Sequence, residues 1–291
     1  MLNQNNTFIQ GFWRLDSWGF SSQELLKFIE QLIELKITTF DHADIYGGYI
    51  CEEIFGNTLK LKPSIREQMQ ITTKCGIKLP SSKFPDYTHI YDTSYEHIIE
   101  SVNRSLQNLA TDYIDTLLIH RPDMLMNPEE IARAFNQLKN DGKVREFGVS
   151  NFLPHQLDLL QSYLEFPLVT NQIEASVLSH EHFDNGNINH LHKLRIRPQI
   201  WSPLAGGRVL NDTSDKSARV RKVLQEISDK HNADIEQIAI DWLLTHPLNF
   251  QIIIGSGKIE RIRQTLMSQQ IKLTRDDWFK IWTAYTGHDI P

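Results

Sequence analysis

A carboxylate, a phenol, an ammonium and an imidazole stand near the ends of successive β-rich runs of this chain. Asp41 and Tyr46 lie in Phe40-Asp41-His42-Ala43-Asp44-Ile45-Tyr46-Gly47, Lys74 in Ile71-Thr72-Thr73-Lys74-Cys75, and His120 in Leu117-Leu118-Ile119-His120. Gathered in one mouth, these groups can protonate a carbonyl oxygen, which is half of a carbonyl reduction; a hydride donor supplies the other half. A free phenol has a pKa of about 10 and is a poor acid at neutral pH. Lys74 is therefore read as the cation that stabilises the phenolate and lowers that value. Asp41 is the partner that keeps Lys74 charged and aimed, and His120 the donor that orients the carbonyl and supports charge on its oxygen. Singly, each has an ordinary explanation: a loop cap, a half-buried phenol, a snorkelling lysine, a core histidine. Their order at the tips of predicted strands two, three and four is what singles them out.

The elements that must hold them alternate along the whole chain. Predicted strands cover residues 8–13, 37–41, 69–75, 113–120, 144–150, 168–173, 198–202 and 250–255. Between them run helical patterns. The first is capped by Ser21 or Ser22 and carries Leu25, Leu26, Ile29, Leu32 and Ile33 at the helical period. Others are predicted near 51–61, at 94–109 with Ile98, Ile99, Val102, Leu106 and Leu109 on one face, and from Pro128 to Asp141-Gly142. Further helices start at Pro154 and cover 218–231, 235–245 and 259–267, and Thr274 followed by Asp277 caps a last one. This rhythm, with no linker or change of composition, fits a single (β/α)8 TIM barrel over residues 1–291. The competing fold, an open doubly wound sheet, lacks a Gly-x-Gly-x-x-Gly turn after its first strand. In a barrel, chemistry sits at the C-terminal ends of strands, where the four residues fall.

Composition narrows the class. The chain has 291 residues, 40% apolar and 23% charged, with a net charge of -6. That balance argues against nucleic acid as the main ligand. The two cysteines, Cys51 and Cys75, form no framework and point to a reducing compartment. The first residues show no leader pattern, and no apolar run reaches the roughly 20 residues of a membrane span. The expectation is a cytoplasmic protein with no nucleic-acid, membrane or protein partner implied.

The segments FDHADIYGG, TTKCGI, LLIHRPD, GKVREFGVSNF, NQIEAS, WSPLAGGR and IIGSGKIERIR occur in this order. Together they resemble the aldo-keto reductases over nearly the whole length. GFWRLDSW, DHADIYGGY and GHDIP give the flavour of bacterial members known only as general oxidoreductases. The resemblance implies the same barrel, with a C-terminal helix and tail near the active-site mouth. It also implies Tyr46 as proton donor, with Asp41, Lys74 and His120 completing a tetrad, and NADP(H) as cofactor.

Residue by residue, it assigns Ser150, Asn151 and Gln172 to the nicotinamide carboxamide and Trp201 to the face of its ring. Ser202, Pro203, Leu204, Gly206 and Arg208 would form the loop over the pyrophosphate, where glycine lets backbone approach phosphate. Gly255, Ser256, Lys258 and Arg261 would receive the 2′-phosphate at a helix start, with Gln264 at the adenine end. Trp13, Ile45 and Arg121 are expected to line the mouth for a small-molecule carbonyl or alcohol. Trp282, Tyr285 and His288 lie in the C-terminal segment that folds over the pocket in relatives.

Two other functions fit parts of the pattern. One is an NADP-binding redox sensor with slow or incidental chemistry; the other is a Schiff-base aldolase built on Lys74. His180-Glu181-His182 falls in a predicted loop without a third ligand, so no metal is expected. Cys75 reads as a small buried thiol, and Arg219-Val220-Arg221-Lys222 as a solvated helix face.

Overall fold

The computed structural model describes residues 6–290. Residues 1–5, on which the leader expectation rests, and residue 291 lie outside the described residues. The chain divides into two compact units, residues 1–172 and 173–291. In the first, β1 (Phe8–Gly11), α1 (Ser22–Glu34), β2 (Thr39–Asp41), α2 (Cys51–Leu59) and β3 (Gln70–Cys75) are followed by a small hairpin, β4 (Ile77–Lys78) with β5 (Ile90–Tyr91). Then come α3 (Tyr95–Asn108), β6 (Ile114–Ile119), α4 (Pro128–Asn140), β7 (Val144–Ser150), α5 (Pro154–Gln161) and the start of β8 (Asn171–Glu174). The second unit continues with α6 (Glu181–Asp184), α7 (Asn187–Leu194), β9 (Gln199–Trp201), α8 (Arg208–Asn211), α9 (Asp215–His231) and α10 (Ile235–Leu244). It ends with β10 (Gln251–Ile254), α11 (Ile259–Leu266) and α12 (Arg275–Thr286).

Eight strands close into a barrel in the order β1-β10-β9-β8-β7-β6-β3-β2. The pairs β1–β2, β2–β3, β3–β6, β6–β7, β7–β8 and β9–β10 are parallel. This is the (β/α)8 fold that the alternating pattern predicts. Strand β6 is buried along its full length, as a strand covered on both faces must be. Among the described residues, no helix is long and apolar enough to cross a membrane.

Helix starts follow local chemistry. Ser21, rather than Ser22, caps α1: its hydroxyl accepts from the Glu24 N–H, and the Glu24 carboxylate accepts from the Ser21 N–H at 2.8 Å. Asn127 caps α4 with Pro128 at its first turn, and Thr274 with Asp277 makes the expected reciprocal cap of α12. Gly56 lets α2 press against the end of α3; a Cβ there would stand 1.9 Å from the Asn108 carbonyl oxygen.

Several boundaries differ from the sequence reading. Strand β1 stops at Gly11; Phe12 still donates to the Asp41 carbonyl at 2.9 Å, but Trp13 turns outward and is 60% exposed. Helix α3 is rotated from its apolar stripe: His97, Ser101 and Ser105 join Ile98 and Val102 on the buried face, while Ile99 and Leu106 are half-buried. Buried polar groups, described below, attract that face. The hairpin β4–β5 has two residues per strand, too few to show a period. Helices α6 and α7 replace the loop expected around His180, and α9 begins at Asp215, capped by Ser214. Arg221 is not simply solvated; its guanidinium donates to the carbonyls of Val209, Leu210 and Asp212.

Candidate active site

All four members of the expected tetrad lie in the first unit. Asp41 closes β2, Lys74 is the fifth residue of β3, and His120 follows β6. Backbone pairing continues past the strand ends: His42 N–H donates to Thr72 O, Asp44 N–H to Lys74 O and His120 N–H to Cys75 O at 2.8 Å. The side chains therefore stand on rigid backbone. Tyr46 sits on a tight loop in which Tyr46 N–H donates to Ala43 O and Cys51 N–H to Tyr46 O. Gly47 has φ of 59°, and a Cβ there would meet the Cys51 sulfur at 2.7 Å.

Lys74 is 1% exposed and organises the cluster. Its Nζ lies 2.7 and 2.8 Å from the two Asp41 carboxylate oxygens, 2.7 Å from the His42 carbonyl oxygen and 3.0 Å from the Tyr46 hydroxyl. An ammonium has three protons and no lone pair, so in each of these contacts Lys74 is the donor. The Tyr46 oxygen accepts from Lys74 and must send its own proton elsewhere. His120 stands edge-on to Tyr46, with ring centroids 5.9 Å apart, and its buried Nδ1 has no hydrogen-bond partner among the described residues.

Electrostatics correct one expectation. Burial raises the Tyr46 pKa; Lys74 pulls it down and Asp41 pushes it up, so the net direction is upward rather than the decrease predicted from Lys74 alone. The phenol stays protonated and available as an acid. Burial draws the Lys74 pKa down, but Asp41 and Tyr46 outweigh it and hold the amine above the ordinary lysine value. That is the charged form, not the free amine needed for an imine. Burial, then Lys74 and Arg121, keep His120 well below the usual histidine range, so its imidazole is neutral.

The first half of the expected carboxamide pocket joins the same network. Ser150 ends β7 in register with Gln172. Its hydroxyl donates to the Gln172 carbonyl oxygen at 3.0 Å, and Asn151 donates to that oxygen through its N–H and to the Ser150 oxygen through its amide. The Gln172 side-chain amide donates to Asp41 Oδ1 at 2.8 Å. Asn151 has φ of 60°, an unusual backbone state that clusters at functional positions.

The remaining cofactor candidates lie in the second unit. Trp201 ends β9 half-buried, Pro203 is buried and Leu204 half-buried, and Ser202 and Ala205 take φ of 49° and 52°. Gly206 and Gly207 follow with φ of 66° and 93°. A Cβ on Gly206 or on Gly255 would meet nothing within 4 Å, so both backbones are open to a ligand. Arg208, exposed, donates to Ala205 O and lies 3.9 Å from Glu174. Lys258 precedes α11, and its N–H donates to the Ser256 hydroxyl oxygen. Arg261 donates to Glu236 at 3.1 Å, and the Gln264 carbonyl accepts from Gln237.

Among the expected mouth residues, Trp13 is exposed with Arg14 against its ring, while Ile45 and Arg121 are half-buried. Trp282 and Tyr285 pack on the buried His180, with centroids 4.3 and 3.7 Å away, and His288 is exposed. His180 and His182 are core residues; no group suited to a metal occurs among the described residues. Cys75 is buried, and burial raises its thiol well above the ordinary value.

Sequence reasoning missed the polar layer beside the tetrad. Asp44 and Glu52 are each 1% exposed. Thr73 donates to Glu52 at 2.6 Å, and Arg104 stands 3.5 Å from Asp44 and over the Phe84 ring. Burial, reinforced by Glu52, raises the Asp44 pKa to about 8. An acid set inside an apolar run, as in Ala43-Asp44-Ile45, was the available signal. The His42 carbonyl, which takes one Lys74 proton, carries no signal because it is backbone.

Comparison with known proteins supplies the family. Residues 7–285 match the model of the Aldo/keto reductase family. The chain is 51% identical to "Uncharacterized oxidoreductase YcsN" of Bacillus subtilis, over 99% of its own length and 97% of the relative's. It is 48% identical to "Oxidoreductase YdhF" of Escherichia coli, covering 98% and 95%. It is 39% identical to a 6-dehydroglucose reductase of Agrobacterium fabrum, covering 97% and 95%. Among solved structures, the thermostable aldo-keto reductase Tm1743, in complex with the inhibitor epalrestat, superposes with a TM-score of 0.79 at 26% identity, covering 96% and 94%. The family match and the full-length similarity lead to one conclusion: the chain belongs to the aldo/keto reductase family and is an oxidoreductase.

Proposed function

We propose that the chain, with residues 1–291 as its catalytic unit, is an NADP(H)-dependent aldo-keto reductase that interconverts an aldehyde or ketone and its alcohol. Tyr46 is the proton donor. The observation that carries this reading is the Lys74 ammonium, whose donors are all taken by Asp41, the His42 carbonyl and the Tyr46 oxygen. That arrangement directs the phenolic proton away from Lys74 and makes the phenolate left after transfer the partner of a fixed cation. Neutral His120 keeps one N–H to offer the carbonyl oxygen.

When bound, the reduced nicotinamide supplies the hydride that turns the carbonyl carbon into an alcohol carbon. Ser150, Asn151 and Gln172 offer the mixed donors and acceptors a carboxamide requires. Trp201 offers an aromatic face, and Ser202, Pro203, Leu204, Gly206 and Arg208 form the phosphate-side loop. Lys258 and Arg261, with Gly255, Ser256 and Gln264 beside them, are the groups that select a 2′-phosphate. Arg261 reaches it by leaving Glu236, an exposed pair that costs little to open. Trp13, Ile45 and Arg121 face the substrate. The setting is cytoplasmic.

Stopped-flow mixing of the NADPH complex with a panel of aldehydes, ketones and quinones tests the reading. Rapid oxidation of the bound cofactor by a carbonyl is the expected result. A complex that persists against the whole panel would instead assign the chain to the redox-sensing function.

A further inference from the structure

Gln172 occupies a position that its expected role does not explain. As a carboxamide ligand it needs only to face the nicotinamide. Yet its side-chain amide donates to Asp41 Oδ1 at 2.8 Å, joining residues 131 positions apart in the sequence. Its carbonyl oxygen, at the other end of the residue, takes the Ser150 hydroxyl at 3.0 Å and the Asn151 N–H at 2.9 Å. Gln172 is 3% exposed, as is Asp41.

Asp41 is the charge partner of Lys74, and its two oxygens receive Lys74 at 2.7 and 2.8 Å. A carboxylate held only by an ammonium can rotate about its last torsion and still keep the ion pair. A second, neutral donor on Oδ1 fixes the plane of the group, and with it the direction of the remaining Lys74 protons toward the His42 carbonyl and Tyr46. It also withdraws part of the negative charge that would otherwise oppose loss of the phenolic proton.

We propose that Gln172 is a positioning residue for the tetrad as well as a wall of the carboxamide pocket. By holding Asp41, it couples occupation of the nicotinamide site to the aim of Lys74 at Tyr46. The inference rests on the reading of Tyr46 as the acid. The titratable and charged groups that bear on the phenol are Lys74, Asp41 and Cys51, with His120 edge-on to its ring and Arg121 beside that imidazole.

The test compares wild type with Gln172→Leu, and with Gln172→Met should the leucine variant fail to show a wild-type circular dichroism spectrum. Single-turnover carbonyl reduction is followed across pH at saturating NADPH, so that a weakened carboxamide contact does not enter the rate. The expected result is a rate about tenfold lower at neutral pH, mid-range for contacting residues of one network. Its alkaline limb should move to higher pH, because Asp41 with one donor fewer raises the phenol further. In an Asp41→Asn background the same substitution should change the rate far less. Weaker NADPH binding with an unchanged saturated rate and unchanged alkaline limb would overturn the proposal and leave Gln172 as a carboxamide ligand alone.

A second arm needs neither substrate nor cofactor. The Gln172 side-chain amide resonance, assigned by its loss in Gln172→Leu, should move when Asp41→Asn is introduced. An unmoved resonance would also overturn the proposal. Should wild type reduce no carbonyl at all, the functional reading fails while this arm still decides the Gln172–Asp41 link.

Discussion

The cations at the two expected ends of the cofactor are held in opposite ways. Lys74 is 1% exposed, with every donor committed at 3.0 Å or less. Arg208 and Arg261 are exposed and pair with carboxylates at 3.9 and 3.1 Å, and Lys258 is exposed at the start of α11. A proton donor must be aimed before its substrate arrives, because the field at the reacting atom has to be in place when charge develops. A phosphate grip needs only charge within reach, and loose surface pairs can be exchanged for it at small cost. On this reading the proposed proton site is built by burial and the proposed anion site by availability.

Substitutions test that contrast. The largest effect is expected for Tyr46→Phe, with turnover falling about 10²- to 10⁴-fold and NADPH affinity near wild type, measured by single-turnover kinetics and fluorescence titration. Lys74→Met should also abolish most turnover. It strands the Asp41 carboxylate, so denaturant unfolding should show a loss of about 3–5 kcal/mol. No such stability cost should appear when an exposed cation of the second unit is removed.

Asp44 tests the buried side of the comparison through pH. Its folded-state value of about 8 lies above the ordinary carboxylate range, so the folded chain retains a proton that the unfolded chain has released. Stability should therefore be greatest below pH of about 4 as far as this group is concerned, and decline as pH rises toward 8. Asp44→Asn should flatten that decline in unfolding curves taken across the window. Lys258→Ala should weaken NADPH binding about tenfold while leaving NADH binding nearly unchanged. The smallest effect is expected for Glu236→Gln. Freeing Arg261 should strengthen NADPH binding by about 1 kcal/mol or less, and the gain should shrink as salt is added.

Much of the barrel was legible because strand and helix periods are local. Pro128, Ser21 and Thr274 marked helix starts through their own backbone chemistry, and β7 was read to its exact bounds, Val144–Ser150. The placement of the proposed tetrad was legible for a related reason: each member sits at a strand end or a few residues from one. What escaped was nonlocal. The face buried by α3 answers to Asp44 and Glu52 as well as to its own apolar stripe. His180 looked like loop because only Trp242, Trp282 and Tyr285, 62 to 105 positions onward in the sequence, make its imidazole a core ring. The upward pull on Tyr46 was missed because the lysine was visible in the sequence, whereas the loss of water around the phenol was not.

The Tyr46 oxygen has a donor-only neighbour behind it, and this limits how the proposed enzyme can be reset. After giving up its proton, the phenolate cannot be refilled from the barrel interior while Lys74 keeps its charge. Replenishment then has to come from water. A ligand held against Tyr46 would keep that water away as well as substrate, and the proposed enzyme would stay in its spent state for as long as the ligand remained.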